Sequence, residues 1–121
     1  MGRSVAQFFL PGRTAESVLK DAHTFATAGK FRLGDSLPGR VTMTRGNKLV
    51  TFRRVINVGA WDAAGGANVL VEAWWETFLI PEMNANPNEI IGIVARRMVW
   101  GLASAFVRRL GVPPEAVFQH F

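Results

Sequence analysis

VTMTRGNKLVTFRRVINV, residues Val41 to Val58, is the stretch whose reading decides the fold. Apolar and polar residues alternate on both sides of Gly46-Asn47, the period-two pattern of half-buried strands. Gly in the first place of a two-residue loop suits a type II′ turn, so the spacing predicts a hairpin closed between Arg45 and Lys48. In that register Met43 faces Val50 and Val41 faces Phe52. Val41, Met43, Phe52, Ile56 and Val58 then share the buried face, while Thr42, Thr44, Thr51 and Asn57 point away from it.

Toward the C-terminus, a second hairpin is expected to turn within Asp62–Gly66 and return along Ala67–Ile80. A four-residue loop pairs Trp61 with Gly66. The same count sets Arg54 opposite Ala73, Phe52 opposite Trp75 and Arg53 opposite Trp74. Val69, Val71, Ala73, Trp75, Thr77 and Leu79 form the inner face, and Leu70, Glu72, Trp74, Glu76 and Phe78 the outer one. Toward the N-terminus, Ser4–Leu10 has strand composition and Pro11-Gly12 ends it. Thr14 caps a helix with Val18, Ala22, Phe25 and Ala26 as its apolar stripe, and Gly29 stops it. Phe31–Leu33 is a short strand.

The last third, NPNEIIGIVARRMVWGLASAFVRRLG from Asn86 to Gly111, reads as one long helix. Asn86 caps it, Pro87 takes the first helical position, Glu89 completes a capping box and Gly111 closes it, with Pro113 beyond. About 24 residues at 1.5 Å each span roughly 36 Å. One broad apolar arc, holding Ile91, Val94, Met98, Val99, Leu102, Ala105, Phe106 and Leu110, is wide enough to cover a sheet. A separate stripe of Ile93, Trp100 and Val107, spaced by sevens, asks for a second partner.

The expected architecture is α+β, a single domain over residues 1–121 in the order β-α-β-β-β-β-α. A mostly antiparallel sheet of four to five strands carries a short N-terminal helix and a long C-terminal helix on one face.

Composition bounds the function. Hydrophobic residues make up 49% of the chain, and there is no Cys, so disulfides, thiolate metal sites and a Cys nucleophile are excluded. Fourteen Lys and Arg against nine Asp and Glu give a net charge of +5, without any run of five cations. The arginine doublets Arg53-Arg54, Arg96-Arg97 and Arg108-Arg109 are the features that a nucleic-acid reading rests on, and it is the weakest of three. Arg96, Arg97, Arg108 and Arg109 interrupt the long helix, so it is not read as a membrane span. The N-terminus offers no secretory core or myristoylation pattern. The chain is read as a soluble cytoplasmic protein without a membrane partner.

No motif carries a reaction. His23 and His120 are the only histidines and stand 97 positions apart, so no metal site is expected. No Gly-x-Ser-x-Gly elbow or phosphate loop occurs, and neither an enzyme nor a cofactor is indicated. Arg54 stands out instead: parity places it on the buried face beside Phe52, Ile56 and Val58. An apolar wall with one guanidinium fork is the chemistry of a site for a small hydrophobic or amphipathic anion. The leading reading is non-catalytic ligand binding between sheet and C-terminal helix. Arg54 is its anchor, with Phe52, Trp75, Met43, Met98 and Leu102 as lining. The competing reading is an assembly protein, a homodimer joined through Ile93, Trp100 and Val107 or through Trp74 on the outer sheet face.

Overall fold

The computed structural model describes residues 2–34, 37–46, 52–79, 82–90 and 92–121. Strand β1 (Ser4–Pro11) leads into helix α1 (Ala15–Ala28), followed by β2 (Arg32–Leu33), β3 (Arg40–Arg45), β4 (Arg53–Ala63) and β5 (Gly66–Glu76). Helix α2 (Ile93–Arg109), a single helical turn α3 (Pro114–Val117) and the short strand β6 (Phe118–His120) complete the chain. The fold is α+β. Its six-stranded sheet has the order β2-β3-β4-β5-β1-β6 and every pairing is antiparallel. The sixth strand comes from the C-terminal tail, which pairs with β1 and had no strand signal beyond Val117, Phe118 and Phe121.

Alternation sets the faces as expected. Met43, Ile56, Val58, Val69, Val71, Ala73 and Trp75 turn inward and join Val18, Ala22 and Ala26 of α1 and Val99, Ala103 and Phe106 of α2 in one core. Phe25 and Phe106 touch at 5.4 Å between ring centroids, so both helices lie on the same face. Helix α1 begins as its sequence predicts, with the Thr14 hydroxyl accepting from the Ser17 amide at 3.1 Å. It ends one residue differently. Lys30, not Gly29, takes the left-handed conformation at φ 57°, and the amides of Lys30 and Phe31 bond back to Thr27 and Ala26 in a Schellman closure. Phe31 then stacks on Phe25 and seals the turn.

Both hairpin registers differ from the sequence reading. Arg45 pairs with Arg54, Met43 with Ile56 and Val41 with Val58, so strand β4 enters six residues later than a turn at Gly46-Asn47 requires. Asn47, Lys48, Val50 and Thr51 lie outside the described residues. An even slip leaves every side chain on its face, which is why the core assignment survives the register error. The second turn is only Ala64-Gly65, with Ala63 opposite Gly66 and Gly65 at φ 80°. Losing two loop residues moves each pair by two, so Arg54 faces Trp75 rather than Ala73, and Arg53 faces Glu76 rather than Trp74. Strand β5 stops at Glu76, leaving Phe78 and Leu79 exposed, and Met83 returns to bond Trp75 through both backbone groups.

Helix α2 is shorter than its pattern, at 17 residues. Asn86 and Pro87 make an isolated turn in which the Asn86 side chain accepts from the Asn88 amide. Gly92, at φ 70°, then breaks the helical path, and α2 starts only after it. The helix is also turned on its axis. Ala95, Val99, Ala103, Phe106, Val107 and Leu110 are buried, a face rotated by about 80° from the predicted arc on a 3.6-residue turn. Small Ala95 and Ala103 let the helix approach the sheet, and the tail strand β6 covers the flank that carries Trp100.

Candidate functional site

The pairing of β3 with β4 puts Arg45 and Arg54 directly opposite each other. Like charges in that position repel. Arg54 donates from Nε to the Arg45 carbonyl at 3.2 Å, and its guanidinium lies 5.3 Å from the centroid of the Phe52 ring. Phe52 in turn meets Trp75 edge-on at 6.1 Å. Burial first, and then the neighbouring Arg45 charge, lower the Arg54 pKa from its ordinary value. Arginine remains protonated throughout the working range, so Arg54 keeps its charge in this half-buried position.

A third cation comes from the helix. Arg97 reaches toward the 86–90 turn, donating from Nε to the Pro87 carbonyl at 3.5 Å. Between helix and sheet lies a cleft of about 280 Å³ bounded by Arg45, Arg54, Arg97, Met98, Gly101 and Leu102. Its rim is cationic and its floor apolar. Among the described residues, no carboxylate lines it and none forms an ion pair with Arg45, Arg54 or Arg97. Gly101 keeps the floor open: a Cβ there would meet no atom within 4 Å. A mid-helix Gly costs about 0.5–1 kcal/mol against Ala, and no neighbour packs into the space it leaves.

Of the six residues expected to line a ligand site, Arg54, Met98 and Leu102 border this cleft. Phe52 and Trp75 sit behind Arg54 as its apolar backing, Trp75 almost wholly buried. Met43 has no exposed surface and belongs to the core. The space beside Arg54 comes from Gly101, because its cross-strand neighbour is Trp75 and not Ala73. Arg45 and Arg97 were missed by sequence reasoning. The corrected register was needed to bring Arg45 beside Arg54.

A larger cleft, about 660 Å³, runs between α1 and the β3–β4 ribbon and includes Leu19, His23, Val41 and Ala60. Its two charged residues, Glu16 and Lys20, stand four apart on α1 and offset one another. It lacks the convergent, unbalanced charge of the arginine cleft.

The residues read as an assembly stripe differ in how far the chain itself covers them. Val107 has no exposed surface, and half-buried Trp100 packs against Phe118 and His120 of β6 at 5.3 and 5.6 Å. Ile93 is half-buried. On the outer sheet face, Trp74 is roofed by the guanidinium of Arg3 at 4.0 Å, whereas the sequence reading had set Arg53 opposite it. Arg3 also bridges Glu72 and Glu82, and a chain of side-chain bonds continues from Glu72 through Asn57 to Thr42. Glu82 is held below the usual carboxylate range, chiefly by its hydrogen bonds from Arg3.

The arginine doublets do not act as pairs. Arg53 is bound to Glu76 and Arg108 to Glu115, while Arg96 is only 2% exposed. Arg96 belongs to a buried polar cluster that sequence reasoning also missed. It donates to the backbone and side-chain oxygens of Asn84 and approaches Glu89 at 3.5 Å. Nearby, the Ser4 hydroxyl accepts from the Ala85 amide at 2.8 Å and bonds His120 Nδ1 at 2.5 Å. Burial is the main reason that the His120 pKa is lowered. Ser4 is itself fully buried, so this serine–histidine pair fastens β1 to the tail and does not present a nucleophile.

No protein-family model and no curated protein matches this chain. Among the described residues, no group of three His, Asp or Glu side chains is placed to hold a metal ion. No described helix is long and apolar enough to cross a membrane.

Proposed function

We propose that this chain is a cytoplasmic, non-catalytic binding protein for a small amphipathic anion, held in the cleft between α2 and the β3–β4 ribbon. One observation carries the reading: Arg45, Arg54 and Arg97 converge on an apolar floor with no acid among the described residues to balance them. An anionic head group relieves the Arg45–Arg54 repulsion, and charge-assisted bonds to planar guanidinium forks are among the stronger polar contacts available. The alkyl body lies on Met98, Gly101 and Leu102, where apolar burial adds about 25 cal/mol per Å². About 280 Å³ suits a short chain rather than a large cofactor.

Decyl phosphate, kept monomeric and titrated by calorimetry, tests this. Wild-type protein is expected to bind it saturably. Arg54→Gln removes one charged donor and should weaken binding by about 10- to 100-fold, from about 1.5–3 kcal/mol for such a bond. Gly101→Leu fills the floor without touching a charge and should also abolish binding while leaving the melting temperature at or above that of wild type. Absence of saturable binding, or equal affinity in all three proteins, contradicts the proposal.

A further inference from the structure

A second surface lies along the outward side of α2, adjoining the cleft and sharing Arg97, Met98 and Gly101 with it. On α2, Val94 is 67% exposed and Met98 43%, and Ile90, just before the Gly92 break, is 84% exposed, large apolar side chains left in water. With 3.6 residues per turn, Val94, Met98, Gly101 and Ala105 project along one line, with Arg97 and Arg109 about 60° to either side. No acidic residue occurs anywhere in α2. Arg45 and Arg54 extend the positive border onto the sheet. The face is an apolar strip flanked by long cationic side chains, with the cleft opening along one side of it.

We infer that this strip docks on an anionic lipid surface. The arginines that argue against a spanning helix are suitably placed for one lying in the interface plane: apolar residues dip between acyl chains while flanking guanidinium groups reach the head groups. A second copy of the chain is disfavoured by charge. A two-fold contact over this strip sets cations against cations, with no carboxylate on the helix to offset them. A bilayer carrying phosphatidylserine supplies the missing negative charge.

With a net charge of +5, adsorption to anionic vesicles alone proves nothing, so the readout must report the face. The chain has no cysteine, which allows a single environment-sensitive label at Val94→Cys or, on the exposed outer sheet face, at Gln7→Cys. On phosphatidylcholine vesicles containing about 30% phosphatidylserine, the label at 94 should shift to the blue and the label at 7 should not. The double variant Ile90→Ser with Val94→Ser keeps every charge and lies outside the cleft lining. Its vesicle partition coefficient should fall by about tenfold or more at unchanged melting temperature, while its affinity for monomeric decyl phosphate stays at the wild-type value. Equal responses from both labels, or unaltered partitioning of the double variant, would overturn the inference. A blue shift at position 94 that grows with protein concentration in the absence of vesicles would also overturn it, in favour of a second copy. Loss of decyl phosphate binding in wild type bears on the cleft alone.

Discussion

Gly92→Ala is the substitution whose effect can be worked most directly from the structure. Gly92 starts α2 at φ 70°, in the left-handed region, where an alanine costs about 1–2 kcal/mol. A Cβ at that position would also stand 2.4 Å from Cζ2 and 2.9 Å from Cη2 of Trp75, well inside contact distance. Trp75 is nearly buried, backed by Phe52 and tied to Met83 through its backbone, so the ring has little freedom to retreat. Overpacking of this kind adds about 1–3 kcal/mol. The two effects sum to about 2–5 kcal/mol, a large share of the stability of a small domain, about 5–15 kcal/mol. Urea unfolding followed by tryptophan fluorescence measures it. At a slope near 1.5 kcal/mol per molar urea, the midpoint should fall by about 2 M. The double variant with Trp75→Leu should recover the overlap part and retain the backbone part. A Gly92→Ala midpoint indistinguishable from wild type would refute both the left-handed start of α2 and its seat on Trp75.

Three further outcomes are expected. The folded-state pKa of His120 is depressed, so its contribution to stability is complete above the unfolded value of about 6.5 and is lost as pH falls below it, at up to about 1.4 kcal/mol per pH unit; urea titrations from neutral to mildly acidic pH should show this slope in wild type and lose it in His120→Phe. Asn84→Ala removes a side-chain acceptor from buried Arg96 and should lower unfolding free energy by about 1.5–3 kcal/mol in the same assay; no change would mean that Arg96 finds its main compensation elsewhere. Trp100→Ala strips the ring that packs on Phe118 and His120 and should destabilise by about 2 kcal/mol while leaving the sedimentation mass unaltered; a smaller mass with intact stability would restore Trp100 to an assembly role.

The sequence made the sheet faces legible and the registers illegible, for a physical reason. Alternation along Val41–Val58 fixes which side each residue takes, and any even slip satisfies it equally; only the turns choose among slips. The Gly46-Asn47 pair resembles a tight turn, yet pairing resumes only at Arg54, and the Asp62–Gly66 segment closes with two residues instead of four. Arg54 was therefore found on the correct face beside the wrong neighbour. Periodicity also carried the helix past Gly92, because an apolar repeat does not register a single glycine at positive φ or its close approach to Trp75. The same long pattern could not say which apolar stripe meets the sheet, because the C-terminal tail, with its three-residue strand β6, supplies the cover for Trp100. Arg54, Met98 and Leu102 were legible as site residues from pattern alone, whereas Arg45 and Arg97 needed the third dimension.

The most direct measurement is a methionine-methyl NMR titration with decyl phosphate. The chain has four methionines, of which Met98 borders the arginine cleft and Met43 is sealed in the core. Saturable movement of the Met98 methyl signal, with Met43 unmoved and the response lost in Arg54→Gln, is the predicted result. A Met98 signal that stays in place, or four signals that drift together, would contradict the arginine cleft as a binding site.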